Sequence, residues 1–202
     1  MVQSLNFAAV RSAATLLRHP GLLLPHLAVS DIRALPFASL HASGIKHLVF
    51  DKDNCLTSPY APFLYPPFAS AWHECKQVFA PENILIVSNS AGTPDDTKGE
   101  AGRVQEALGV RVLAHKDKKP ACGREVLEYL QARPEEVAVV GDRLMTDVAM
   151  ANMHGMYAVW TTQIISEQGD NPVAAVVRRI EHRLYEFLRR RGVQPPPHAA
   201  AK

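Results

Sequence analysis

The sequence predicts an α/β domain built on a doubly wound parallel sheet, on two observations. Short apolar runs end abruptly in polar residues, and stretches of helical length separate them. Strands joined by helices of that length are normally parallel, with right-handed crossovers. The chain has 202 residues, 47% hydrophobic and 21% charged, which suits one compact domain with a real core and excludes wholesale disorder.

From the N terminus, residues 1–40 form a basic segment with Arg11 and Arg18 but no acid before Asp31, the bias of a mitochondrial presequence. On a helical wheel Phe7, Val10, Ala14 and Leu17 oppose Ser4, Arg11, Thr15 and Arg18. The stretch therefore also fits an interfacial membrane anchor, or an ordinary helix packed on the domain. Residues 41–170 carry the core. His47–Phe50 predicts a buried strand ending at Asp51, and Ile84–Val87 one ending at Ser88. Val110–Leu113 predicts a third strand, Val137–Val140 a fourth stopped by Gly141-Asp142, and Tyr157–Trp160 a fifth. Helices fit near Ala69–Phe79, Gly99–Leu108, Ala121–Gln131 and Asp147–Met153.

Residues 171–202 read as a basic amphipathic helix and a flexible tail that begins at Pro195. Val173, Val176, Val177, Ile180, Leu184, Phe187 and Leu188 recur at helical spacing among Arg178, Arg179, Arg183, Arg189, Arg190 and Arg191. The expectation is an apolar stripe on the domain with its arginines solvated, or in contact with an anionic membrane or a second subunit. No apolar run approaches the roughly 20 residues of a spanning helix. Cys55, Cys75 and Cys122 stand apart, which argues against a disulfide framework or zinc ribbon and for a reducing compartment. The net charge of +2 is too small to argue for nucleic acid as a partner.

In a doubly wound sheet the ligand site lies beyond the carboxyl ends of the strands. After the first core strand come Asp51 and Asp53, which extended chain sends to the same side. After the second come Ser88, Asn89, Ser90, Ala91 and Gly92, small residues whose N–H groups can meet an anion. Lys118 and Lys119 precede a helix, and Asp142 and Asp147 follow the fourth strand. Converging carboxylates repel one another, and their hard oxygens suit Mg²⁺ with a substrate phosphate beside it. An aspartate next to the metal can attack phosphorus and form an aspartyl-phosphate that water later hydrolyses. His115 stands near the lysines, either facing solvent or touching substrate.

Asp51-x-Asp53-x-x-x-Thr57, Ser88, Lys119 and Gly141-Asp142-x-x-x-x-Asp147 resemble, in that order, the four motifs of the haloacid dehalogenase phosphatase superfamily. The resemblance implies a Rossmann-like doubly wound sheet, with Asp51 as nucleophile and Asp53 as the acid, then the base. It implies Mg²⁺ held by Asp51, Asp142 and the backbone carbonyl of Asp53. Ser88 and Lys119 would bind the phosphoryl group, Asn89 would support it through its backbone, and Asp147 would orient a metal water or the lysine. Lys118 is the alternative to Lys119. The spacings from Thr57 to Ile84 and from Gly92 to Lys119 leave no room for a large cap domain. An open site suits a phosphate carried on something bulky, and a neighbouring subunit in a homo-oligomer could act as lid.

Within the superfamily, Asp51-Lys52-Asp53-Asn54-Cys55-Leu56-Thr57, Ser88-Asn89-Ser90-Ala91-Gly92 and His115-Lys116-Asp117-Lys118-Lys119-Pro120 are similar to the mitochondrial phosphatidylglycerophosphate phosphatase family of fungi, algae and plants. That resemblance implies removal of the terminal phosphate from phosphatidylglycerophosphate to give phosphatidylglycerol, the step before cardiolipin. It also implies a peripheral location on the matrix side of the inner membrane, against an anionic phospholipid surface. The competing expectation is a soluble phosphatase of the same fold for a sugar phosphate, nucleotide or phosphoprotein.

Overall fold

The computed structural model describes residues 15–166 and 172–201, the side chains of 172–175 excepted. The N-terminal wheel positions before Thr15 therefore lie outside the described residues. In chain order the strands are β1 (Leu27–Val29), β2 (His47–Phe50), β3 (Ile84–Ile86), β4 (Arg111–Val112), β5 (Val137–Gly141) and β6 (Tyr157–Thr161). The helices are α1 (Phe37–Ala42), α2 (Ala69–Val78), α3 (Glu100–Leu108), α4 (Gly123–Leu130), α5 (Ala149–Met153) and α6 (Pro172–Arg190).

All six strands are parallel and run in the order β1-β6-β5-β2-β3-β4. The chain winds outward from β2 through β3 to β4, then crosses to β5 on the other side of β2. That reversal makes the carboxyl end of β2 the switch point where a ligand crevice opens. Phe50 pairs with Ile86 on one side and Val140 on the other, so the loops leaving β2, β3 and β5 start level with one another.

Burial on both faces explains why these strands read as unbroken apolar runs. Leu48, Phe50, Ile84, Ile86, Val140 and Val159 pack with Trp72 and Cys75 of α2 and Val104 and Leu108 of α3. Val49, Leu85, Val139, Ala158 and Trp160 face Val126 of α4 and Met150 of α5. Pleat alternation alone divides the two sets. Between β2 and β3, and between β3 and β4, the chain spends its length on single packed helices, and among the described residues no large cap covers the crevice.

Several elements depart from expectation, among them the unexpected helix α1. Leu27–Val29 adds an edge strand against β6, and three residues are too short a run to stand out. The strand expected over Val110–Leu113 contracts to Arg111–Val112 at the opposite edge. The helix expected from Asp147 is preceded by a wide π turn over Leu144–Val148, and α5 begins at Ala149.

The face of α6 needs a larger correction. Val176, Ile180 and Phe187, read as part of the packed stripe, are 54%, 51% and 51% exposed. Arg178 and Glu181 turn inward instead, beside Leu188 of the expected stripe. Spacings of three and seven put these residues on one face of a helix as well as any apolar set. What decides the orientation is the charged loop after β5, against which α6 lies.

Candidate active site

A cavity of about 320 Å³ opens at the carboxyl end of β2. Its lining includes Asp51, Asp53, Ser88, Asn89, Lys119, Asp142 and Asp147, all seven residues that the sequence singles out for the site.

Asp51 is carried directly off β2, its N–H donating to the Val140 carbonyl at 2.8 Å. Its carboxylate accepts from the ammonium of Lys119, which also reaches Asp147 Oδ1 at 2.6 Å and donates to the Val87 carbonyl at 2.9 Å. Burial alone would lower the lysine's pKa, but Asp147 and Asp51 outweigh it and hold the ammonium charged. Lys118 goes elsewhere, to exposed Asp95 at 2.7 Å. The geometry thus separates the two lysines that sequence left open.

The loop from Lys52 to Thr57 folds tightly. Asn54 takes the left-handed conformation at φ 63°, and its N–H donates to the Thr57 carbonyl at 2.8 Å. Asparagine tolerates that region better than most residues. Asp53 points to a different partner from Asp51: it accepts from Lys52 Nζ at 2.6 Å and from the Tyr60 N–H at 2.7 Å. Burial pushes the Asp53 carboxyl up, opposed by the Lys52 ammonium.

Asp142 and Asp147 are both buried. Burial, reinforced by the charges of Asp51 and Asp147, pushes the Asp142 carboxyl up to about 8, against the pull of Arg178. Asp147 is raised for the same first reason, burial. One carboxylate oxygen from each of Asp51, Asp142 and Asp147 lies within 4.8 Å of the others. Such crowding leaves excess negative charge, and oxygen-only donors fit Mg²⁺. The residues present fit the metal. In side-chain terms Asp147 completes this triad, while the Asp53 carboxylate stays with Lys52.

The Ser88 hydroxyl accepts from the N–H groups of Ser90 and Ala91 at 3.2 and 3.4 Å. Asn89 acts through its side chain as well as its place in the loop, Oδ1 accepting from the Lys119 N–H at 2.8 Å. His115 is buried, correcting the solvent-facing alternative. Its ring nitrogens lie 2.9 Å from the Ser88 carbonyl and 2.6 Å from that of Asp117. It ties the loop after β3 to the lysine loop.

Sequence reasoning missed three residues at this site. Lys52 is fully buried and bridges Asp53 and Glu100; a lysine flanked by two site aspartates was the available signal. Arg178 contacts Asp142 at 2.5 Å, and Glu181 accepts from Arg143 Nε at 3.1 Å and Met145 N–H at 2.8 Å. Their signal was an acid three residues from an arginine inside a mainly basic helix.

Comparison with known proteins points to one family. The family described as mitochondrial PGP phosphatase matches residues 7–166. The mitochondrial phosphatidylglycerophosphatase of Saccharomyces cerevisiae is 36% identical over 190 residues, covering 91% of this chain and 99% of that protein. The chloroplastic phosphatidylglycerophosphate phosphatase of Chlamydomonas reinhardtii is 40% identical, covering 89% of this chain and 67% of that protein. The chloroplastic/mitochondrial counterpart from Arabidopsis thaliana is 35% identical, covering 94% and 55% respectively.

Proposed function

Since the chain belongs to the mitochondrial PGP phosphatase family, we propose that it hydrolyses the terminal phosphate of phosphatidylglycerophosphate, giving phosphatidylglycerol and inorganic phosphate. The observation that carries the chemistry is the Asp51 carboxylate at the end of the central strand, held by Lys119 and grouped with Asp142 and Asp147. A carboxylate fixed at the floor of an open crevice is placed to act as a nucleophile.

In this reading an oxygen of Asp51 attacks phosphorus in line, and the bond from phosphorus to the glycerol oxygen breaks. Asp53, its carboxyl pushed up by burial, gives the leaving oxygen a proton. The same group then takes a proton from water as that water attacks the aspartyl-phosphate, which frees phosphate and restores Asp51. Ser88 and Lys119 hold the phosphoryl oxygens. Asp51 and Asp142, with Asp147 or the Asp53 backbone carbonyl, would hold Mg²⁺, which when bound offsets charge on the transferring group.

The location we infer is peripheral, on an anionic membrane at the matrix side of the inner membrane, as the family resemblance implies. Among the described residues no helix is long and apolar enough to cross a membrane. The outer face of α6 supports surface contact, with Val176, Ile180 and Phe187 exposed beside exposed Arg179, Arg183 and Arg190. Tyr60 and Phe63, in the loop beyond Asp53, are exposed too.

Phosphate release from phosphatidylglycerophosphate, phosphatidic acid, sugar phosphates and p-nitrophenyl phosphate, with and without Mg²⁺, tests the proposal. Phosphatidylglycerophosphate should lead by kcat/KM, and only with Mg²⁺. A sugar phosphate or nucleotide leading the panel would transfer the assignment to a soluble phosphatase.

A further inference from the structure

We propose that Lys52 and Glu100 are positioning residues that clamp one oxygen of Asp53, Oδ1, so that the other, Oδ2, carries the proton to the departing oxygen. The inference goes beyond the reading above and rests on its assignment of Asp53 as the proton carrier.

Both contacts that the Asp53 carboxylate accepts fall on a single atom. Lys52 Nζ donates to Oδ1 at 2.6 Å, and the Tyr60 N–H donates to the same oxygen at 2.7 Å. Among the described residues no donor reaches Oδ2. An oxygen that faces two donors accepts from both and has no room for a proton of its own. The acid's proton therefore sits on Oδ2, and Asp53 lines the cavity with its side chain 28% exposed. In the transfer the Oδ2–H bond breaks as the glycerol oxygen, leaving phosphorus with the electrons of its P–O bond, takes the proton. Asp53 is left as a carboxylate whose charge Lys52 and the Tyr60 N–H already face. In the second step Oδ2 takes a proton back from the attacking water.

Lys52 is placed to hold that oxygen still. Its side chain is fully buried, and its ammonium also lies 2.8 Å from Glu100 Oε1 and donates to the Ala61 carbonyl at 3.4 Å. Burial opposes its charge, but Asp53 and Glu100 outweigh burial and keep the ammonium charged. Glu100 opens α3, and its N–H donates to one oxygen of Asp96 at 2.7 Å. The other Asp96 oxygen accepts from the Gly92 N–H at 3.0 Å, at the end of the loop that carries Ser88. One chain of contacts therefore runs from the proton carrier through Lys52 and Glu100 to the phosphoryl-binding loop, and sets proton donor and phosphate in one frame. Stability alone does not explain a lysine there, since a buried ion pair usually holds a fold together no better than apolar side chains of the same size.

Two soluble substrates separate proton delivery from the rest of the reaction. The alcohol of glycerophosphoglycerophosphate, the deacylated head group, must be protonated as it leaves, whereas the phenolate of p-nitrophenyl phosphate leaves without a proton. Because kcat/KM covers the steps up to departure of the leaving group, it reports the first proton transfer. It is measured with Mg²⁺ for wild type, Asp53→Asn and Lys52→Met, with folding checked by thermal melting. In Lys52→Met, kcat/KM for the head group should fall about 10- to 100-fold, while that for the aryl ester stays within about 3-fold because its leaving group needs no acid. For the aryl ester kcat and KM should drop together, since hydrolysis of the aspartyl-phosphate loses its positioned base. Lys52→Met/Glu100→Leu removes the pair whole, which folds tolerate better than the loss of one partner; it is judged by the same values should the single variant fail to fold. Equal losses on both substrates, or none on either, would overturn the proposal and leave Lys52 as a structural support. Should Asp53→Asn itself fail to separate the two substrates, the assignment of Asp53 as proton carrier falls, and this inference with it.

Discussion

Nζ of Lys119 lies 2.6 Å from Oδ1 of Asp147, with the two side chains 3% and 1% exposed. Because the same ammonium holds Asp51, one buried cation keeps two carboxylates together. Removing it strands both charges. Lys119→Met should therefore cost about 3–5 kcal/mol of stability, read by urea unfolding in EDTA, and Mg²⁺ should restore part of it. A loss below about 1 kcal/mol would show that the carboxylates tolerate one another without the lysine.

Asp53→Asn keeps the shape but removes the proton carrier. Turnover should fall by about 10²–10⁴, with the melting temperature close to wild type, since an amide oxygen can still accept from Lys52 and the Tyr60 N–H. A loss of only a few-fold in kcat would assign the proton transfer to another group.

Asp142 links pH to the metal. Its carboxyl is pushed up to about 8, first by burial and then by the charges of Asp51 and Asp147. In metal-free protein the folded state keeps a proton that the unfolded chain releases above about pH 4. This contribution to stability is therefore full below about pH 4 and is lost as pH rises towards about 8. A cation competes with that proton, so the stabilisation given by Mg²⁺ should grow over the same interval. Melting temperatures with Mg²⁺ and with EDTA should diverge as pH rises, and Asp142→Asn should flatten the divergence. A gap independent of pH would contradict the account.

Gly92 closes the loop after β3 against the start of the lysine loop. It adopts φ +79°, and a Cβ there would lie 2.2 Å from the Leu113 carbonyl oxygen. Gly92→Ala should cost more than about 1 kcal/mol and should slow turnover, because the Gly92 carbonyl receives the His115 N–H at 3.0 Å. Urea unfolding and a phosphate-release assay check the two halves. A variant as stable as wild type would mean that the loop can shift without cost.

The residues legible in the sequence were those at the ends of the doubly buried strands. Val49, Leu85 and Val139 lie on central strands, so apolar runs announced β2, β3 and β5, and the loaded residues followed them directly. The three-residue edge strand Leu27–Val29 gave no such signal. Lys52 was opaque for another reason. Its burial depends on Glu100, an acid far along the chain that only the folded topology brings near. Arg178 and Glu181 were hidden by the assumption that the inward face of a helix is the apolar one. Against a crevice lined with charge, the inward face is charged, and Val176 and Ile180 turn outward.

The central claim is that phosphate passes through Asp51. The most direct measurement is acid quenching of Asp53→Asn protein during turnover of phosphatidylglycerophosphate with Mg²⁺, followed by digestion and mass spectrometry of the peptide containing Asp51. That variant should accumulate the intermediate because hydrolysis loses its base. The account predicts a phosphoryl group on Asp51, absent when Asp51→Asn protein is treated in the same way. Turnover continuing at wild-type rates in Asp51→Asn, or a phosphoryl group found on another residue, would contradict it.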